Sequence, residues 1–90
     1  MAQANVDPHE LRRFARQLKK FTQELEGQMG LLNSQMNNLA ASWRDQEQAK
    51  FSAEFDETIK QIARFTNAAN QHIPFLLRKA ERAEEYLNQR

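Results

Sequence analysis

Few side chains in this sequence of 90 residues are of the types that perform chemistry. There is no cysteine, which excludes disulfides, thiolate metal sites and cysteine nucleophiles. The two histidines, His9 and His72, lie far apart and have no carboxylate placed to complete a metal site. The acidic residues between positions 54 and 57 lack the Glu-x-x-His pattern of carboxylate-bridged metal bundles. The sequence therefore predicts no catalytic residue, no metal, no other cofactor and no small-molecule substrate.

The composition and the charge exclude further classes of protein. Two glycines and two prolines cannot supply the turns of a sandwich or barrel of short strands. A net charge of +1 gives no general attraction to nucleic acid or to an anionic membrane. No apolar run is long enough to span a membrane, no Gly-rich phosphate loop is present, and no signal peptide is visible. Neither nucleic-acid binding nor membrane binding is predicted.

The first half of the chain has the pattern of one long helix, predicted over about residues 8–41. Asp7 is expected as its N-cap, with Pro8 at the first helical position and Glu10 at the capping-box position. Gly27 and Gly30 interrupt the helix, either as tolerated positions or to allow two backbones to approach closely. Apolar residues recur at steps of three or four, as amphipathic helices require: Leu11, Phe14, Leu18, Phe21, Leu25, Met29, Leu32, Met36, Leu39 and Trp43.

A second helix is predicted over about residues 46–88, capped by Ser42 or Asp45. Pro74 interrupts its pattern without changing the phase, which favours a kink near residues 70–73; a break into a third helix is the alternative. A flanking row of Phe65, His72 and Tyr86 widens the apolar face. The main stripe consists of Phe51, Phe55, Ile59, Ile62, Thr66, Ala69, Ile73, Leu76, Ala80, Ala83 and Leu87.

The expected fold is all-α: one domain over residues 1–90, a long antiparallel helical hairpin that reverses at about residues 42–45. Two helices alone leave much of each stripe in water, so we expect two chains to form a four-helix bundle. The expected core of hairpin and dimer is Leu11, Phe14, Leu18, Phe21, Leu25, Met29, Leu32, Met36, Leu39, Phe51, Phe55, Ile59, Ile62, Phe65, Ile73 and Leu76.

Charged residues of opposite sign are concentrated at opposite ends of the predicted hairpin. The basic block is Arg12, Arg13, Arg16, Lys19 and Lys20; the acidic block is Asp45, Glu47, Glu54, Asp56 and Glu57. In an antiparallel dimer the basic block of one chain would face the acidic block of the other. Our hypothesis is that these contacts favour the antiparallel arrangement and set its register. The alternative is two solvated faces, because exposed ion pairs contribute under about 1 kcal/mol.

The predicted turn has the sequence Trp43-Arg44-Asp45, and Ala49, Phe51 and Phe55 follow it on the second helix. In length, helix layout and turn position the chain resembles the WXG superfamily, early-secreted-antigen-like helical hairpins associated with bacterial type VII secretion. The resemblance implies a small secretion substrate, effector or secretion partner that acts as a dimer. Its implied partners are itself or a paralogue, and a secretion ATPase or larger client protein.

Two positions depart from the pattern of this superfamily. Asp45 replaces the glycine of Trp-x-Gly, which indicates a turn without positive φ in which Asp45 caps the second helix. The family's export signal is a tyrosine followed four residues later by an acid, whereas Tyr86 is followed by Arg90. We therefore expect a cytoplasmic location or export without a cleavable signal peptide. The alternative function is a non-secreted coiled-coil adaptor or chaperone for a larger client.

Trp43 has two interpretations. It can pack on Phe51 and Leu39 and so close the end of the hairpin, as large aromatic residues at the ends of bundles usually do. The resemblance implies instead that the turn helps to form a recognition cleft with the partner's C-terminal segment. The two roles are compatible.

Overall fold

Two long antiparallel helices make up nearly all of the structure, a computed structural model that describes residues 6–89. Helix α1 spans Pro8–Leu39 and helix α2 spans Gln46–Asn88. The described part of the chain contains no strand, so the fold is the all-α hairpin that the sequence predicts. The hairpin measures 68 × 20 × 14 Å and is little thicker than one helix of about 10–12 Å diameter. Each helix therefore has one neighbour and can bury only one strip of its surface.

Aspartates cap both helices at their N-termini. The Asp7 carboxylate accepts a hydrogen bond from the backbone N–H of His9 at 2.9 Å, and Pro8 follows at the start of α1. The Asp45 carboxylate accepts one from the backbone N–H of Gln48 at 2.9 Å. Each bond satisfies a donor that the helix itself cannot pair. Asp45, rather than Ser42, is therefore the cap of α2.

The chain reverses between Leu39 and Asp45. Helix α1 ends two residues before the expected position 41, and the N–H groups of Ala41 and Ser42 bond carbonyls three residues earlier. The Trp43 N–H donates to the Leu39 carbonyl at 2.9 Å, which draws the turn back over the end of α1. Asp45 has φ of −90°, and no residue in the described range has positive φ. The turn thus has no position that requires glycine.

Pro74 lies inside α2, which continues through it without interruption. The third helix considered as an alternative is therefore absent from the described chain. Since proline has no N–H, the Asn70 carbonyl loses its helical partner at this point. A groove of about 370 Å³ lies here between the helices, lined by Lys19, Gln23, Glu26, Asn70, Ile73 and Pro74.

Small side chains form the seam between α1 and α2. Ala15, Thr22, Thr66, Ala69 and Ala80 are all buried, and Met36 is the one large residue of the chain's buried core in the described range. Thr22 Oγ1 lies 3.0 Å from the Lys19 carbonyl and 3.1 Å from Asn70 Oδ1, while Thr66 Oγ1 donates to the Ala63 carbonyl at 2.9 Å. Both buried hydroxyls thereby have partners, as burial requires. The fully buried part of the seam is therefore made mainly by small side chains, which let the two helices approach closely.

The two glycines of α1 do not mark the point of that approach. A Cβ atom on Gly27 or Gly30 would meet no side chain and no part of α2 within 4 Å, apart from the adjacent residues of the chain. Within one chain they are exposed positions that the helix tolerates.

Candidate interaction surface

Six of the exposed large apolar side chains lie on one side of the hairpin. We define the apolar face as Phe14, Phe21, Leu32, Leu39, Phe51 and Phe65, each between 44 and 56% exposed. Large contiguous apolar surface of this kind marks a site of protein interaction.

Contacts and helical spacing place these residues on the same side. Phe21 of α1 meets Phe65 of α2 edge-to-face, with ring centroids 6.2 Å apart. Phe14 precedes Phe21 by seven residues and Leu32 follows it by eleven, which are close to two and three whole turns of helix. The face therefore runs along most of α1 and crosses to α2 near its middle.

A groove of about 230 Å³ lies within the apolar face near the turn. Both helices contribute to it, and its lining is mainly apolar: Leu32, Gln35, Met36, Leu39, Phe51 and Phe55. Phe51 and Phe55 stack with ring centroids 6.0 Å apart and form its α2 wall. The groove is open to solvent in the single chain.

Trp43 lies beside this groove and is half-buried. Its ring centroid is 5.9 Å from that of Phe51, at an interplanar angle of 40°. The packing on Phe51 that the sequence predicts is thus present, and it joins the turn to the aromatic wall of the groove. Part of the Trp43 surface stays exposed to solvent.

Several members of the charge blocks have partners within their own chain. Arg12 is bonded to Glu84 across the open end of the hairpin, and the Arg12 guanidinium lowers the pKa of the Glu84 carboxyl through this hydrogen bond and its charge. Arg13 lies 3.9 Å from Glu10, and Glu57 lies 3.9 Å from Arg64, both pairs being exposed. Lys19 lines the groove beside Pro74. The contact between blocks of two chains remains a hypothesis.

The sixteen residues expected in the core of hairpin and dimer differ in how far they are buried in the single chain. Met36 is buried, while Leu11, Leu18, Leu25, Met29, Phe55, Ile59, Ile62, Ile73 and Leu76 are half-buried and the others belong to the apolar face. The expected core set omitted the five small buried residues of the seam: Thr66, Ala69 and Ala80 belong only to the predicted stripe of the second helix, whereas Ala15 and Thr22 belong to neither predicted stripe. The spacing could have identified the two on α1. Ala15 and Thr22 form a row with Met29 and Met36 that recurs at every seventh residue of α1, the period of a seam between packed helices.

The described residues offer little to hold an ion. No group of three or more His, Asp or Glu side chains lies close enough to bind a metal between residues 6 and 89. Over the same range, no helix is long and apolar enough to cross a bilayer.

A slender all-α hairpin with an exposed apolar face and a tryptophan in its turn defines the class of helical-hairpin proteins. Residues 3–86 match the model of the WXG100 family, described as proteins of 100 residues with WXG. The chain belongs to this family, and the resemblance inferred from its sequence is confirmed. No curated protein matches the chain.

Crystal structures of the secreted protein EsxB from Bacillus anthracis strain Sterne share the fold. The G53A mutant is 28% identical, with a TM-score of 0.76 over 93% of this chain and 97% of EsxB. Wild-type EsxB is 28% identical, with a TM-score of 0.76 over 91% and 88% of the two chains. Selenomethionine-labelled EsxB is 27% identical, with a TM-score of 0.75 over 96% and 98%. The protein is accordingly a small helical protein associated with type VII secretion.

Proposed function

We propose that the protein is a type VII secretion substrate, effector or secretion partner that acts as an antiparallel homodimer and works by binding other proteins. The observation that carries this proposal is the apolar face. Six large apolar residues remain about half exposed along one side of a hairpin only 14 Å thick. A second copy that covers this face would complete a four-helix bundle.

The antiparallel arrangement is favoured by the length and the shape of the face. Phe14 lies near one end of the hairpin, the groove lies near the other, and the Phe21–Phe65 pair lies close to the middle. With a two-fold axis near that pair, each copy would cover the apolar face of the other along its whole length. The charged blocks lie at the margins in this dimer, where they add selectivity against wrong pairings more than they add affinity.

The turn supplies the second part of the proposal. Trp43 is half-buried against Phe51 and keeps surface free beside the groove. Together with the C-terminal segment of the second copy it would form a recognition cleft for a secretion ATPase or a larger client protein. A paralogue in place of the second copy would produce the same cleft from two different chains.

Sedimentation equilibrium of the purified chain tests the assembly. We expect a dimer at micromolar concentration, with helicity lost in one transition whose midpoint rises with protein concentration. A monomer at these concentrations would contradict the homodimer and direct the search to a paralogue.

Export is tested in the source bacterium with a tagged chain. We expect the chain in the culture medium of the parent strain and only in the cell pellet when the secretion ATPase is deleted. A cytoplasmic control protein measures lysis in both strains.

An adaptor that stays in the cell is the second candidate function, favoured by the arginine at position 90 where the export signal has an acid. Retention in the pellet while other substrates of the same machine are exported would support it. Substituting Arg90→Glu would separate the candidates further, since restored export would show that only the signal is missing.

A further inference from the structure

We infer that the groove near the turn is the seat of Phe14 from the second copy, so that two reciprocal Phe14 contacts fix the register of the dimer. This inference rests on the proposed homodimer and adds its anchor residues. The groove holds about 230 Å³ between Leu32, Gln35, Met36, Leu39, Phe51 and Phe55. An enclosed cavity of roughly 150 Å³ can hold a benzene molecule, so this groove has room for one aromatic ring.

Symmetry decides which helices face each other. In an antiparallel dimer whose two apolar faces contact each other, the two-fold axis runs perpendicular to the helices, in the plane of the interface. Such an axis places α1 against α1 of the second copy and α2 against α2. In such an isologous interface, if residue i contacts residue j, then j contacts i. Each contact across it therefore occurs twice.

The length of α1 then places Phe14 at the groove. Phe14 is six residues after the first residue of α1, and Asn33 is six residues before its last. Pairing the two helices about their midpoints puts Phe14 of one copy level with Asn33 of the other, beside Leu32. A shift by one heptad would move Phe14 away by about 10 Å and leave the far end of each face in water.

Exposure in the single chain agrees with this assignment. Phe14 is 56% exposed, although it lies on the apolar face. An exposed aromatic ring at one end and an unfilled aromatic-walled groove at the other are complementary parts of one interface. Aromatic anchors of this kind dominate the binding energy of protein interfaces.

Phe75 provides a matched control because it is also phenylalanine and is 55% exposed. The small cleft around it is lined by Arg78, Lys79 and Arg82, all of α2, so no residue of α1 contributes to it and its lining is basic rather than apolar. We expect Phe14→Ala to raise the dimer dissociation constant at least tenfold and Phe75→Ala to raise it less than threefold. Equal effects of the two substitutions would overturn the assignment of Phe14.

Cysteine cross-linking tests the position directly, since the chain has no cysteine of its own. We would prepare Phe14→Cys and Leu32→Cys as separate chains and treat each chain and their mixture with a short bismaleimide. We expect a covalent dimer only in the mixture. Within one antiparallel dimer the two copies of position 14 lie about 28 Å apart, too far for the reagent.

Other results would overturn the inference in distinguishable ways. A cross-link in Phe14→Cys alone would show a parallel dimer. A cross-link between Leu32→Cys and Tyr86→Cys, without one to position 14, would make the second copy's C-terminal end the occupant. The first result would overturn the proposed antiparallel arrangement together with this inference, whereas the second would leave the antiparallel homodimer standing. A monomeric wild-type chain at about 100 μM would remove the dimer itself.

Discussion

The seam of the hairpin and its apolar face use opposite kinds of side chain. The seam is closed by alanines and threonines such as Ala15 and Ala80, which are 1% and 0% exposed. The face carries phenylalanines and leucines that remain about half exposed. A globular domain usually buries its largest apolar residues first. The proposed dimer accounts for this inversion, since a second copy would cover the large residues and complete the core.

The seam and the apolar face should also contribute to different free energies. Small residues in the seam let the helices approach closely, and a larger residue there would push them apart. Large residues on the face gain free energy only when a second surface covers them. Substitutions in the seam should therefore change the stability of the hairpin, whereas those on the face should change association.

The largest effect is expected from a charge placed on the face. Leu31 and Leu32 are adjacent, 53% and 49% exposed, and point about 100° apart around α1. Leu32→Glu would bury an unpaired carboxylate in the dimer, which costs several kcal/mol, so the dissociation constant should rise at least ~100-fold. Leu31→Glu should change it less than about threefold. Sedimentation equilibrium measures both, and similar effects would place the interface elsewhere.

Trp43 lies where the seam and the face meet, so its removal should affect both. Full burial would make Trp43→Ala cost about 3–5 kcal/mol, but the ring is only half-buried, and we expect about 2–3 kcal/mol. Denaturant unfolding at several protein concentrations separates the loss of hairpin stability from the loss of association. An unchanged midpoint at low concentration would assign Trp43 to recognition alone.

A larger residue in the seam should produce a smaller and purely internal loss. Ala80→Leu forces three added carbon atoms between helices that are already in contact, at a cost of about 1–2 kcal/mol. Ala68→Leu, at an exposed position of the same helix, is the matched control and should lie within about 0.5 kcal/mol of the wild type. Thermal unfolding followed by circular dichroism compares them. If Ala80→Leu were neutral, the seam would be looser than its burial indicates.

Much of the fold could be predicted from the sequence because its signals are local. The cap at Asp7, the cap at Asp45 and the position of the turn each depend on a few neighbouring residues. The apolar period identifies both helices for the same reason. Belonging to the WXG100 family follows from the same layout together with Trp43.

The division of the apolar stripe into seam and face was not predictable from the same pattern. Hydrophobicity shows that Phe14, Leu18 and Phe21 lie on a wide face, but it does not show which partner covers each residue. Ala15 and Thr22 were missed because they are small, and a search for large apolar residues passes over them. The ion pair of Arg12 with Glu84 joins residues 72 positions apart, which only the folded hairpin brings together.

The smallest effect on stability is expected from the ion pair of Arg12 with Glu84, which joins α1 to α2 at the open end of the hairpin. The Arg12 hydrogen bond and charge lower the pKa of Glu84, and the charge of His9 adds to this. A carboxyl with a lowered pKa in the folded state stabilises the fold above its unfolded pKa of about 4.3, and this contribution is lost as the pH falls through the lowered value. Both side chains are partly exposed to solvent, at 30% and 39%, so the contribution is small.

Glu84→Gln should therefore lower the melting temperature slightly at pH 7, and the difference from wild type should vanish below the lowered pKa. Glu85→Gln is the neighbouring control, because Glu85 makes no ion pair among residues 6–89. Dimer affinity should change less than about twofold in either variant, since neither residue lies on the apolar face. A pH-independent difference for Glu84→Gln would show that the pair with Arg12 is not formed in solution. A large loss of affinity would show that the open end of the seam is itself part of the interface.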